Sequence, residues 1–202
     1  MENLLCSNFK GIKMKLETTP IKDLFVLHRP LRKDERGTFS RLFGADEIAE
    51  AGRPTNIVHI NASTSTEVGT LRGIHFQYPP YAEAKIVACT AGAIWDVGVD
   101  LRLGSPTRFK WYGTILTPEN GLSMVIPEGF GHAFITLEPN STALYATSAV
   151  YAPEYESGLH YGDPLLGIEW PITPKVISTK DQAWEPLKKR IQLLNTRFDF
   201  DA

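Results

Sequence analysis

At 202 residues the chain is long enough to bury one substantial core and too short for two full ones. Its 43% hydrophobic and 22% charged residues exclude a disordered chain, and a formal net charge of −2 excludes bulk attraction to nucleic acid or an anionic membrane. No apolar run approaches the roughly 18 residues that span a bilayer, and two cysteines, Cys6 and Cys89, do not make a disulfide framework. The opening MENLLCSNFKGIKMK carries neither a signal-peptide core nor a small-residue cleavage site. Met14 is a candidate second start, so residues 1–14 read as an extension and the protein as cytoplasmic.

In chain order, a first strand is expected at residues 25–27, then a short helix over 45–51 (ADEIAEA) closed by Gly52. Strand character recurs at 69–76, 85–89, 93–99, 109–116, 123–126, 134–137, 143–148 and 160–161. Turn residues stand between these runs, as in Tyr78-Pro79-Pro80, Gly104-Ser105-Pro106 and Pro118-Glu119-Asn120-Gly121. Strands repeating roughly every 8–12 residues argue for an antiparallel sandwich or barrel. Within 93–99, Ile94, Val97 and Val99 suit inward positions, while Trp95, Asp96 and Gly98 break a two-face pattern. A polar residue in such a strand marks a lined cavity, because burial without a partner is costly. A final helix is expected over 181–194, with Pro186 near its first turn. One barrel domain over 15–175 with a helical segment, 176–202, packed on it is the resulting organisation.

The densest polar cluster is Leu71-Arg72-Gly73-Ile74-His75-Phe76-Gln77. On a regular strand, Arg72 and Ile74 face one way, and Gly73, His75 and Gln77 the other. Lys85 follows on the next strand and Asp96 on the one after. Residues 126–134 (IPEGFGHAF) place His132 in a Gly/Pro-rich turn entering a strand. A lone strand histidine is more often structural than catalytic. Two His, an Arg, a Lys and an Asp on neighbouring strands exceed what packing requires.

With DERG at 34–37, LRGIHFQ at 71–77, the lysine of EAKIV, GAIWDVGVDLR, SPT, IPEGFGHAF, LYATSAVYAPE and DPLLGIEWP in this order, the chain resembles the dTDP-4-dehydrorhamnose 3,5-epimerase family. The resemblance implies a mainly β double-stranded β-helix, a cupin or jelly-roll barrel, with short helices including one at the C-terminus. It implies a nucleotide-diphosphate sugar substrate, a 4-keto-6-deoxy sugar inverted at C3 and/or C5 in deoxysugar and cell-surface polysaccharide biosynthesis. No cofactor, nucleic acid or membrane is implied, and a homodimer formed by strand exchange is. His75 would be the base and Asp181 the carboxylate that orients it and stabilises its protonated form. Lys85 would face the ketone oxygen where negative charge develops, and Tyr145 would return a proton on the opposite face. Arg36 and Arg72 would hold the diphosphate. Gln77, Asn61, His59, His132 and Asp96 would complete the substrate lining.

Departures from the family pattern fall at Arg32, His59, Val125, Ala146 and Val150, near where the sugar or base is held. Many cupins bind metal through a His-x-His pair, and here Gln77 replaces the second histidine with a poor ligand, so no metal is expected. A C3-only epimerase on another nucleotide sugar, a 3,4-ketoisomerase and a non-catalytic sugar-binding cupin remain alternatives.

Overall fold

The computed structural model describes residues 13–50 and 56–198. It begins with β1 (Lys15–Thr18), β2 (Phe25–His28), β3 (Arg32–Asp34), β4 (Gly37–Phe39) and helix α1 (Ala45–Glu50). There follow β5 (His59–Ser65), β6 (Thr70–Gln77), β7 (Lys85–Ala91), β8 (Ile94–Asp100), β9 (Trp111–Leu116) and β10 (Leu122–Ile126). β11 (Phe130–Thr136), β12 (Ser141–Thr147), β13 (Glu156–Gly158), β14 (Val176–Ile177), α2 (Thr179–Gln182) and α3 (Leu187–Arg197) complete the order.

Strands distant in sequence become neighbours. One sheet runs β1-β2-β10-β7-β12-β5, the other β13-β6-β11-β8-β9 with β14 beside β6, and β3-β4 forms a separate hairpin. Between the sheets, Val87, Met124 and Ala143 of the first meet Ile94, Phe130 and Phe134 of the second. The result is a jelly-roll barrel.

Two further apolar layers cover the outside. Trp95, Val97, Val99 and Ile135 pack outward beneath Leu187, Leu194 and Phe198 at the C-terminus. Leu27, Ile86 and Val125 of the first sheet are covered by Met14 and Ile48. Each such side chain contributes about 1.5–3 kcal/mol on burial. β8 and β11 are therefore buried on both faces along their whole length. That explains the broken pattern in β8 and corrects its reading: Val97 and Val99 point outward with Trp95, and Ile94 alone of the three faces the interior.

Other expectations also shift. The strand near residue 160 is β13, pairing with β6, while the rings of His160 and Tyr161 stack in the turn beyond it. The expected helix over 181–194 is two helices. Pro186 lacks an N–H and disfavours helical backbone at the residue before it, so it sits at the N-cap of α3 and parts that helix from α2. Residues 51–52, the expected end of α1, lie outside the described residues, as do Cys6 and most of the 1–14 extension.

Candidate active site

A cavity of about 770 Å³ opens between the sheets, lined by residues of β5, β6, β7, β11 and β12 and by α2. Its floor depends on an irregularity in β6. His75 pairs with His132 and Arg72 with Phe134, so Gly73 and Ile74 together face Ala133 alone. This one-residue bulge reverses the alternation of side chains between positions 72 and 75. Arg72 and His75 consequently share the cavity face, contrary to a regular strand, and Ile74 turns into the outer core. Only glycine fits at the bulge. Gly73 has φ +118°, and an added Cβ would lie 2.5 Å from Ala133 Cβ and 2.6 Å from the His132 carbonyl oxygen.

The bulge also anchors the carboxylate. β14 lies parallel to β6, with Val176 opposite Thr70 and Ile177 opposite Leu71, and delivers the chain into α2. Ser178 caps that helix by accepting the Asp181 N–H at 3.0 Å. Asp181 then accepts the Gly73 N–H at 3.2 Å on one oxygen and stands 2.6 Å from His75 Nε2 on the other. An ionised carboxylate only accepts, so the shared proton belongs to the imidazole and the other ring nitrogen is left as an acceptor. Burial raises the Asp181 carboxyl, but His75, the Gly73 N–H and Ser178 outweigh it and hold it below the ordinary value. Asp181 is almost wholly buried, while the His75 side chain keeps 34% exposure.

Tyr145 reaches the cavity from the other sheet, on β12, paired with Asn61 of β5 and Val87 of β7. Burial, and then the charge of Glu83, push its phenol up, with Arg72 acting the other way, so it keeps its proton at neutral pH. Lys85 enters from β7 and donates to Glu83. His132 Nε2 lies 2.7 Å from Asp96, whose second oxygen is buried without a partner among the described residues. His59 and Asn61 line the β5 side, and Arg72 donates to Ser65 at 3.3 Å. The cavity thus joins a histidine on one sheet, held by a carboxylate from α2, to a protonated phenol and an ammonium on the other sheet.

The sequence matches the family model described as dTDP-4-dehydrorhamnose 3,5-epimerase over residues 18–189. A dTDP-4-dehydrorhamnose 3,5-epimerase of Sinorhizobium fredii is 42% identical over 172 residues, 85% of this chain and 88% of that protein. The chain belongs to the dTDP-4-dehydrorhamnose 3,5-epimerase family. A dTDP-4-dehydrorhamnose 3-epimerase of Streptomyces niveus is 39% identical over 84% of this chain and 82% of its own length. The solved dTDP-6-deoxy-D-glucose-3,5-epimerase of Legionella pneumophila, in complex with dTDP-4-keto-L-rhamnose, matches with TM-score 0.84 at 38% identity, covering 90% of this chain and 96% of that one. The protein is an epimerase on a cupin-type barrel.

Three expected ligands of the substrate sit differently in this epimerase. Asp96 is fully buried behind His132 and does not line the cavity. Gln77 spends its carboxamide on the rim: Nε2 donates to the Tyr81 and Val150 carbonyls, and Oε1 accepts the Ala152 N–H at 2.6 Å. Arg36 lies on the β3–β4 hairpin, well exposed and paired with Asp34, and does not line the cavity. Four ionisable residues that line it are not singled out by the sequence: Glu83, Tyr151, Glu156 and Lys180. Tyr151 donates to Glu156 at 2.6 Å and Lys180 donates to the same oxygen at 2.5 Å. The hydrogen bond to Glu156, aided by burial, pushes the Tyr151 phenol up to about 12. Glu83 was legible as the position two before Lys85, which shares its side of an extended chain. The Tyr151–Glu156–Lys180 set joins distant segments and left no local signal. Among the described residues, no three His, Cys, Asp or Glu side chains are grouped to share a metal ion.

Proposed function

We propose that this epimerase acts on a dTDP-linked 4-keto-6-deoxy sugar, inverting C3 and/or C5 by proton removal and return. The observation that carries the reading is the placement of His75 and Tyr145 on opposing sheets around one cavity. Inversion requires a base on one face of a carbon and an acid on the other. His75 takes the proton alpha to the ketone, and the C–H electron pair becomes the C=C bond of an enolate. Charge moves to the C4 oxygen, where the Lys85 ammonium stabilises it. The enolate re-forms the ketone by taking the Tyr145 proton on the opposite face. Solvent removes the His75 proton and reprotonates the Tyr145 phenolate, restoring the resting state. Asp181 holds the imidazole and balances its charge while it carries the proton.

A dTDP-4-keto-6-deoxyhexose incubated with the protein in heavy water should gain deuterium at C3 or C5, read by NMR. A folded protein that exchanges neither position on this substrate sinks the proposal, and migration of the ketone would favour a 3,4-ketoisomerase instead. We also infer a cytoplasmic homodimer, in which the exposed β3–β4 hairpin offers Arg36 to a second cavity. Light scattering at the monomer mass would remove that part.

A further inference from the structure

Glu83 precedes β7 by two residues, lines the cavity, and pairs with Lys85. Both side chains are largely buried, at 15% and 8% exposure. A buried ammonium needs a counter-charge, because desolvation otherwise favours its neutral form. The other acids around the cavity are already engaged. Asp181 serves His75, and Glu156 serves Tyr151 and Lys180. The charged and titratable groups that line the cavity around Lys85 are Tyr145 from the neighbouring β12 and His59 from β5 in its own sheet, and Arg72 and His75 from β6 and His132 from β11 in the opposite one. Three of these carry or can gain positive charge as imidazoles, and one is a guanidinium, so none can replace Glu83.

We propose that Glu83 is a positioning residue for the epimerisation, holding the Lys85 ammonium in the cavity wall with donors left free for the substrate's ketone oxygen. An ammonium has three N–H donors, so one bound to Glu83 leaves two for the oxygen on which enolate charge develops. Glu83 need not touch the sugar for this. Its charge also opposes loss of the Tyr145 proton, which keeps the returning acid loaded. This inference rests on the proton-transfer reading of the site.

The test is a double-mutant cycle in steady-state epimerisation and heavy-water exchange on a dTDP-4-keto-6-deoxyhexose. Glu83→Gln keeps the shape and removes the charge. It should lower kcat about tenfold or more while KM and dTDP affinity stay within about twofold. Glu83→Asp keeps the charge and should recover much of the loss. In a Lys85→Met background, Glu83→Gln should cost nothing further, since its effect runs through Lys85. A kcat for Glu83→Gln at the wild-type level, or a full additional loss in the Lys85→Met background, overturns the positioning role. Wild-type exchange with either of those results sinks Glu83 alone. Absence of wild-type exchange sinks the proton-transfer reading together with it.

Discussion

Two buried aspartates in this barrel make similar numbers of promises and keep them differently. Asp100, at the end of β8, accepts the Arg102 backbone N–H and guanidinium, Ser105 Oγ at 2.5 Å and Thr107 Oγ1 at 2.7 Å. Arg102 in turn reaches Asp23 at 2.8 Å, tying the strand end to the N-terminal segment. That cluster closes on itself. Asp181 instead holds a histidine that remains one-third exposed to a cavity. Nearby, the second oxygen of Asp96 is buried without a partner among the described residues. A completed polar network fixes a corner of the fold, whereas a histidine left partly open to a cavity can meet a ligand. The polar residues of DLR and SPT belong to the first kind, and His75 of LRGIHFQ to the second.

The sharpest way to break this contrast is to substitute one member of each cluster. His75→Asn should lower epimerisation by about 10²–10⁴-fold, the usual contribution of a positioned base, with a modest stability loss of about 1 kcal/mol from the hydrogen bond Asp181 loses. A large loss of stability instead would make His75 a structural residue like Asp100. Asp100→Asn should do the reverse, costing about 3 kcal/mol in urea unfolding by leaving Arg102 without its buried partner. Its kcat should match wild type at temperatures where it is folded.

The Asp100 effect should also depend on pH. Burial raises this carboxyl, but Arg102, Ser105 and Thr107 outweigh it and hold it below its ordinary value. A depressed folded value stabilises above the unfolded pKa of about 4, and that stabilisation is lost as pH falls through the folded value. The gap between wild type and Asp100→Asn should therefore be full at pH 7 and narrow below about pH 4. A gap that widens in acid would contradict the charge assignment.

The smallest expected effect separates rim from ligand. Gln77→Ala removes hydrogen bonds to three backbone groups and should cost about 1–3 kcal/mol of stability. KM for the sugar nucleotide should hold steady. A rise in KM with no stability loss would restore Gln77 as a substrate contact.

Much of the barrel was legible because its strands carry β-branched and aromatic runs between Gly/Pro turns, and the C-terminal helices because their apolar residues recur. β5 was not, since HINASTS presents polar and exposed positions and owes its strand state to pairing with β12. His75, Asp181, Lys85 and Tyr145 could be named by resemblance, and the cavity gathers all four. That Arg72 and His75 share one side of β6 could not be read from alternation, because the bulge at Gly73 is set by pairing with β11. Gln77 lines the cavity, yet its carboxamide is committed to backbone groups up to Ala152, which no local pattern announces.

The opposed-sheet mechanism is tested most directly by Tyr145→Phe in heavy water. With His75 intact and the returning acid gone, the substrate should still acquire deuterium at the carbon His75 deprotonates, with its configuration retained. Inversion at the wild-type rate, or loss of exchange along with inversion, would contradict the division of labour between the two sheets.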